Sequence, residues 1–312
     1  MELAMLQLPM ILFTTLVPMA SGTFIGLAIM FFTTRFSDAC LKRIDLWTLL
    51  PIGITIVGYI AGVTFFALPQ GAVALFQGID GGTVLTLLIA GAVLGFLSVV
   101  YWALAAAGVL SYRTRMVSAA VLGASALVYS LAIGAVYMAS SVATWSSALV
   151  PIGMMGFCVA GGVPLGVLVV ALSGGMPEAR RTAFASVSVV VAFVGAVMAI
   201  FAVTAQLLYA QSLFAAALPG VDVVPGAWVY LVISIVGFVV MLACLRSTLQ
   251  PGGRSAAPVG RAAGAAAAMP QSAMGVSEPV GVRSAVPLLI LGNAAVLAAI
   301  FVARMLFYAL QV

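Results

Sequence analysis

Eight long apolar stretches divide this chain, at about residues 8–34, 46–68, 83–110, 116–139, 148–173, 182–210, 226–249 and 286–310. Each is long enough to cross a hydrocarbon core of roughly 30 Å, which takes about 20 residues of helix. The stretches are continuous rather than alternating, which argues against a closed barrel of strands. Lipid offers no water to backbone amides, so a helix that bonds its own peptide groups is the remaining way across. The sequence therefore reads as an all-α integral membrane protein, a single domain over residues 1–312 built as a bundle of eight transmembrane helices. Composition agrees: 6% of residues are charged, against roughly 25% in a soluble domain.

The opening "MELAMLQLPM" lacks the basic segment that begins a signal peptide, and reads as the start of a retained first span. Charge then orients the bundle. Arg35, Lys42, Arg43, Arg113, Arg115, Arg180, Arg181, Arg246, Arg254, Arg261 and Arg283 fall in the first, third, fifth and seventh connections, and the even connections hold no basic residue. Basic residues accumulate on the cytoplasmic side. Both termini are accordingly expected to be extracytoplasmic, with the chain in the cytoplasmic membrane. Residues 250–284, rich in Gly, Ala and Pro, read as a flexible cytoplasmic loop. The net charge of +5 forms no basic face interleaved with aromatics, so a nucleic-acid partner is not expected.

Pro18, Pro151 and Pro164 fall within spans and are expected to kink them. In the fifth span, Gly161, Gly162 and Gly166 suit close helix packing. A broken helix lining a substrate site is the alternative at the same residues.

The inventory of reactive groups is short. The chain has no histidine, which excludes a bis-histidine haem, histidine-ligated metals and histidine proton relays. Cys40, Cys158 and Cys244 are far apart with no CxxC pair, and read as packing residues. All seven acids, Glu2, Asp38, Asp45, Asp80, Glu178, Asp222 and Glu278, are assigned to tails or connections. Without an intramembrane carboxylate, a proton-driven carrier is disfavoured. A self-contained hydrolase or metalloenzyme is disfavoured as well.

Polar residues gather at the outer ends of the spans: Gln70, Asp80, Tyr137, Thr144, Trp145, Gln206, Tyr209, Gln211, Arg304 and Tyr308. Trp145, Tyr137 and Tyr308, taken singly, read as an interfacial aromatic belt. Arg304 is the one basic residue outside the odd connections. It lies about 27 Å along its helix from residue 286, at 1.5 Å per residue. That depth is the outer margin, where a guanidinium can snorkel to the surface and meet a ligand or partner.

Three stretches resemble the DmsC-type family, the membrane anchor subunit of dimethyl sulfoxide reductase complexes. They are the opening "LPMILFTTLVPMASGTFIGLA", the segment "ATWSSALVPIGMMGFCVAGGVPLGVLVVAL" and the closing "ARMLFY". The resemblance implies an anchor with no haem or metal of its own. Such a subunit binds menaquinol near the outer face. It passes electrons to an iron–sulfur, ferredoxin-like subunit that feeds a molybdopterin catalytic subunit. Arg304, Tyr308, Gln206, Asp80, Gln70 and Trp145 are then the candidate quinol-binding residues. Phe65 stands where the family has a histidine, and Leu88, Ile300 and Gln206 stand at acidic positions. Either Asp80 with bound water takes the protons of quinol oxidation, or the quinone site is altered. A small-solute transporter and a purely structural anchor are the alternative readings.

Overall fold

A computed structural model describes residues 7–66, 81–217, 224–250 and 285–310. Gln70, Asp80 and the expected loop, apart from Gln250, lie outside the described residues. Among the described residues every regular element is helical. Helices α1 (Leu8–Ser21) and α2 (Thr23–Thr33) make the first span, and α3 (Asp38–Trp47) and α4 (Leu49–Phe66) the second. The third is α5 (Gly81–Ala106), the fourth α6 (Tyr112–Met138) and the fifth α7 (Leu149–Leu172). After the short α8 (Met176–Ala179) come α9 (Phe184–Ala217), α10 (Ala227–Leu249) and α11 (Ala285–Ala309) as spans six to eight. All eight are long and apolar enough to cross a membrane, and the chain is a multi-pass membrane protein.

The first and fifth spans form the centre. The most apolar 18-residue window of α7 is 83% buried, against 22% for α5 at the periphery. Apolar burial does not draw helices together in lipid, so close backbone approach must do that work. Small residues supply it. A Cβ added to Gly162 would stand 2.1 Å from the carbonyl carbon of Gly22, and one added to Gly134 would stand 2.3 Å from Cα of Pro151. The sequence reading of Gly162 as a packing residue therefore holds. Leu85, Phe96, Phe193, Phe201, Val229 and Ile290 project outward, as side chains facing lipid do.

The three prolines act differently. Pro18 has no N–H to give to the carbonyl of residue 14, and the first span is interrupted at Gly22, between α1 and α2. Pro164 lies inside a continuous α7. Pro151 sits in the first turn of α7, where its missing N–H has no carbonyl of the same helix to serve.

The third span ends at Ala106 rather than near 110 and the sixth runs on to Ala217 rather than 210, and two further boundary differences bring charged residues into helices. The second span begins with helix at Asp38, and Asp45 lies inside α3, only 1% exposed, rather than in a connection. The fourth begins at Tyr112, which brings Arg115 into the first turns of α6. These two residues form an ion pair, Arg115 Nη2 to Asp45 Oδ2, at 2.8 Å. The same nitrogen donates to the Ala105 carbonyl at 3.3 Å. A scan for apolar runs stops at the first charge. A paired charge lets the helix continue, and the partner is 70 residues away.

Candidate functional site

At the end of the bundle that carries the fourth connection, α11 turns Arg304, Phe307 and Tyr308 inward. Positions i, i+3 and i+4 share one face of a helix, and here that face meets the core. Arg304 is 2% exposed and Tyr308 fully buried. The expected snorkelling arginine on an outer rim is thus corrected: its side chain faces the bundle interior. The aromatic-belt reading fails for the same reason. Trp145 and Tyr137 are 0% and 2% exposed and belong to the core.

The cradle around Arg304 is aromatic. Its guanidinium carbon lies 3.9 Å from the Phe307 ring centroid, 5.0 Å from that of Tyr308 and 5.4 Å from that of Tyr137. Phe307 stacks on Trp145, with centroids 5.0 Å apart and planes 8° from parallel. The Tyr137 and Tyr308 hydroxyls share a hydrogen bond of 2.5 Å. Arg304 Nε donates to Thr14 Oγ1 at 2.9 Å, and that hydroxyl donates to the Met10 carbonyl at 2.8 Å. Thr14 escaped the sequence reading. Its signal was a hydroxyl pair, Thr14 and Thr15, within an otherwise apolar run.

The fourth connection caps the last helix. Trp145 Nε1 donates to the Phe307 carbonyl at 3.2 Å, and Thr144 Oγ1 to the Leu310 carbonyl at 2.6 Å. The final carbonyls of a helix have no partner of their own, so these two bonds anchor the end of α11. Gln206 Nε2 on α9 donates to the Thr144 carbonyl at 3.2 Å. Of the six candidates, Arg304, Tyr308, Gln206 and Trp145 are therefore brought together, while Gln70 and Asp80 lie outside the described residues. Tyr209 points outward at 39% exposure, away from the cluster.

The electrostatics are unbalanced. Among the described residues no carboxylate pairs with Arg304, and the one ion pair is Asp45–Arg115. Arg304 Nη2 is buried without a hydrogen-bond partner. A desolvated cation costs several kcal/mol unless it is compensated. Each cation–π contact returns only about 2 kcal/mol even when dry. The cradle thus holds a cation with a spare donor. A narrow crevice reaches it between Phe157, Ala202, Val203, Gln206 and Phe307, with free space of about 10 Å³. That is room for about one water molecule.

In comparisons with known proteins, the chain matches no family model, no curated protein and no solved structure.

Proposed function

We propose that the chain is the membrane anchor subunit of a molybdopterin oxidoreductase complex of the dimethyl sulfoxide reductase type. In this reading it binds menaquinol and passes the electrons to a ferredoxin-like iron–sulfur subunit that serves a molybdopterin catalytic subunit. The observation that carries the reading is Arg304, a buried guanidinium with an unpartnered Nη2 in an aromatic cradle. A planar fork of N–H donors suits a quinol oxygen, and flanking rings suit a quinol ring. The quinol's two electrons pass to the iron–sulfur subunit and its two protons to water at this end of the bundle, where the Tyr137–Tyr308 hydroxyl pair lies beside the guanidinium. The end of the bundle around Arg304 would be extracytoplasmic, since basic residues crowd the opposite end. The partner subunits would then dock outside the cytoplasm, in anaerobic respiration across the cytoplasmic membrane.

One observation favours a second reading, a purely structural anchor. The crevice at Arg304 has free space of about 10 Å³, whereas ligand pockets usually offer about 300–1,000 Å³. Quinol entry requires α9 and α11 to part or Phe307 to swing aside.

The partner claim is tested by tagging the full chain in its own host under anaerobic growth and purifying it in mild detergent. Recovery with an iron–sulfur polypeptide and a molybdopterin polypeptide is expected. Recovery without either contradicts the proposal.

A further inference from the structure

At the basic end, on the far side of the bundle from the Arg304 crevice along the helix axes, a groove lies between α9 and α10. Its mouth is lined by Arg180, Thr182, Ser186, Arg246 and Gln250, and the space there is about 430 Å³. A second compartment of about 440 Å³ continues from it, lined by Val189, Val190, Phe193, Val239, Leu242 and Ala243. The two share Val189, Val190 and Arg246, so they form one groove that is polar at one end and apolar beyond. From Arg246 back to Val239 is seven residues, about 10 Å of helix.

The polar end is cationic, and among the described residues no ion pair offsets it. Arg180 is fixed by its Nε, which donates to the Thr248 carbonyl at 2.7 Å. Its two terminal nitrogens have no carboxylate partner among the described residues, nor does the exposed Arg246. Two guanidiniums match the charge and acceptor geometry of a phosphodiester, while the Thr182 and Ser186 hydroxyls beside them already donate to the Ala179 and Ala183 carbonyls. The apolar end opens to the side: Val190, Phe193 and Val239 are all more than half exposed. A soluble anion would use only the mouth. An amphiphile with a phosphate head and an acyl tail matches both compartments, and basic pockets between spans at the membrane surface bind such lipids.

We propose that the groove between α9 and α10 is a binding site for an anionic glycerophospholipid, with its phosphate between Arg180 and Arg246 and one acyl chain along Val189, Phe193 and Val239. The site is separate from the Arg304 cradle and does not rest on the quinol reading. A lipid held here ties the sixth span to the seventh at the surface of the bilayer.

The test uses the full chain in detergent and native mass spectrometry, with phosphatidylglycerol and phosphatidylethanolamine as probes at equal concentration. The unaltered chain is expected to retain phosphatidylglycerol in preference. R246Q should weaken retention roughly 5-fold, and R180A/R246A by about that factor again, at about one arginine's worth of surface attraction each. R246Q removes an exposed side chain, so its loss cannot be charged to misfolding. R113A, an exposed arginine at the same end, should leave retention unchanged. A243W, which fills the apolar compartment, should also weaken it, and millimolar inorganic phosphate should not displace the lipid. Equal retention of the two lipids, or unchanged retention in R180A/R246A, overturns the proposal. Displacement by phosphate with no effect of A243W does so too, because it marks a site for the anion alone.

Discussion

Arg304 and Phe307 lie one turn apart on α11, with the guanidinium carbon 3.9 Å from the centroid of the phenyl ring. The same ring stacks on Trp145, so the cation is held by a residue that is itself held. A double-mutant cycle between R304M and F307L, read by thermal unfolding in detergent, is expected to give a coupling of about 1–2 kcal/mol. Additive effects would mean that the ring does not stabilise the cation.

The crossing of the first and fifth spans is set by backbone contact. A Cβ at Gly162 would meet the Gly22 backbone at 2.1 Å, while one at Gly53 would meet nothing within 4 Å. Neither helix can yield without disturbing the centre of the bundle. G162A is expected to cost about 3 kcal/mol or more, at the upper end of overpacking effects, and to sharply lower the yield of monodisperse protein in size-exclusion chromatography. G53A should behave as the unaltered chain.

Asp45 and Arg115 are buried together, and Asp45 Oδ1 and Arg115 Nε have no further partners among the described residues. Removing one charge strands the other, at about 3–5 kcal/mol, while replacing both with apolar groups is close to neutral. D45L and R115M should therefore each lower the midpoint of thermal unfolding, and the double variant should recover most of the loss. A double variant as unstable as the sum of the two would show that each charge is stabilised by something else.

These cases separate what the sequence discloses from what it withholds. Continuous apolar runs and the distribution of arginines made the eight spans legible, because lipid penalises an unpaired backbone group or charge wherever it occurs along the chain. The direction in which Arg304 faces was not legible. Which way a side chain faces around the helix depends on the neighbours, and here these are Thr14, Tyr137 and Trp145, all remote in sequence. The Asp45–Arg115 pair was hidden likewise, because two charges read singly both look like solvent-facing ends. Gln206 was noticed as a polar residue near the end of a span, yet its bond to the Thr144 carbonyl exists only through tertiary packing.

The proposed orientation rests on charge alone and has its own test. Single cysteines are introduced in a background in which Cys40, Cys158 and Cys244, all buried, are replaced by alanine. A cysteine added after Val312 should react with a membrane-impermeant maleimide in intact cells, and one replacing Arg181 only after permeabilisation. The reverse pattern would invert the bundle and place the Arg304 end inside the cell.

The most direct measurement compares two electron donors on the proposed complex, purified whole. With a reduced dye that feeds the catalytic subunit directly, R304A and R304K complexes should run as fast as the unaltered one. With a menaquinol analogue, R304A should fall about 10- to 100-fold, the consequence of losing one charge-assisted hydrogen bond in the reaction. R304K, which keeps the charge but loses the fork, should fall by less. Quinol-driven turnover that survives R304A unchanged, in a complex that has assembled fully, would contradict the proposal that the buried guanidinium handles the quinol.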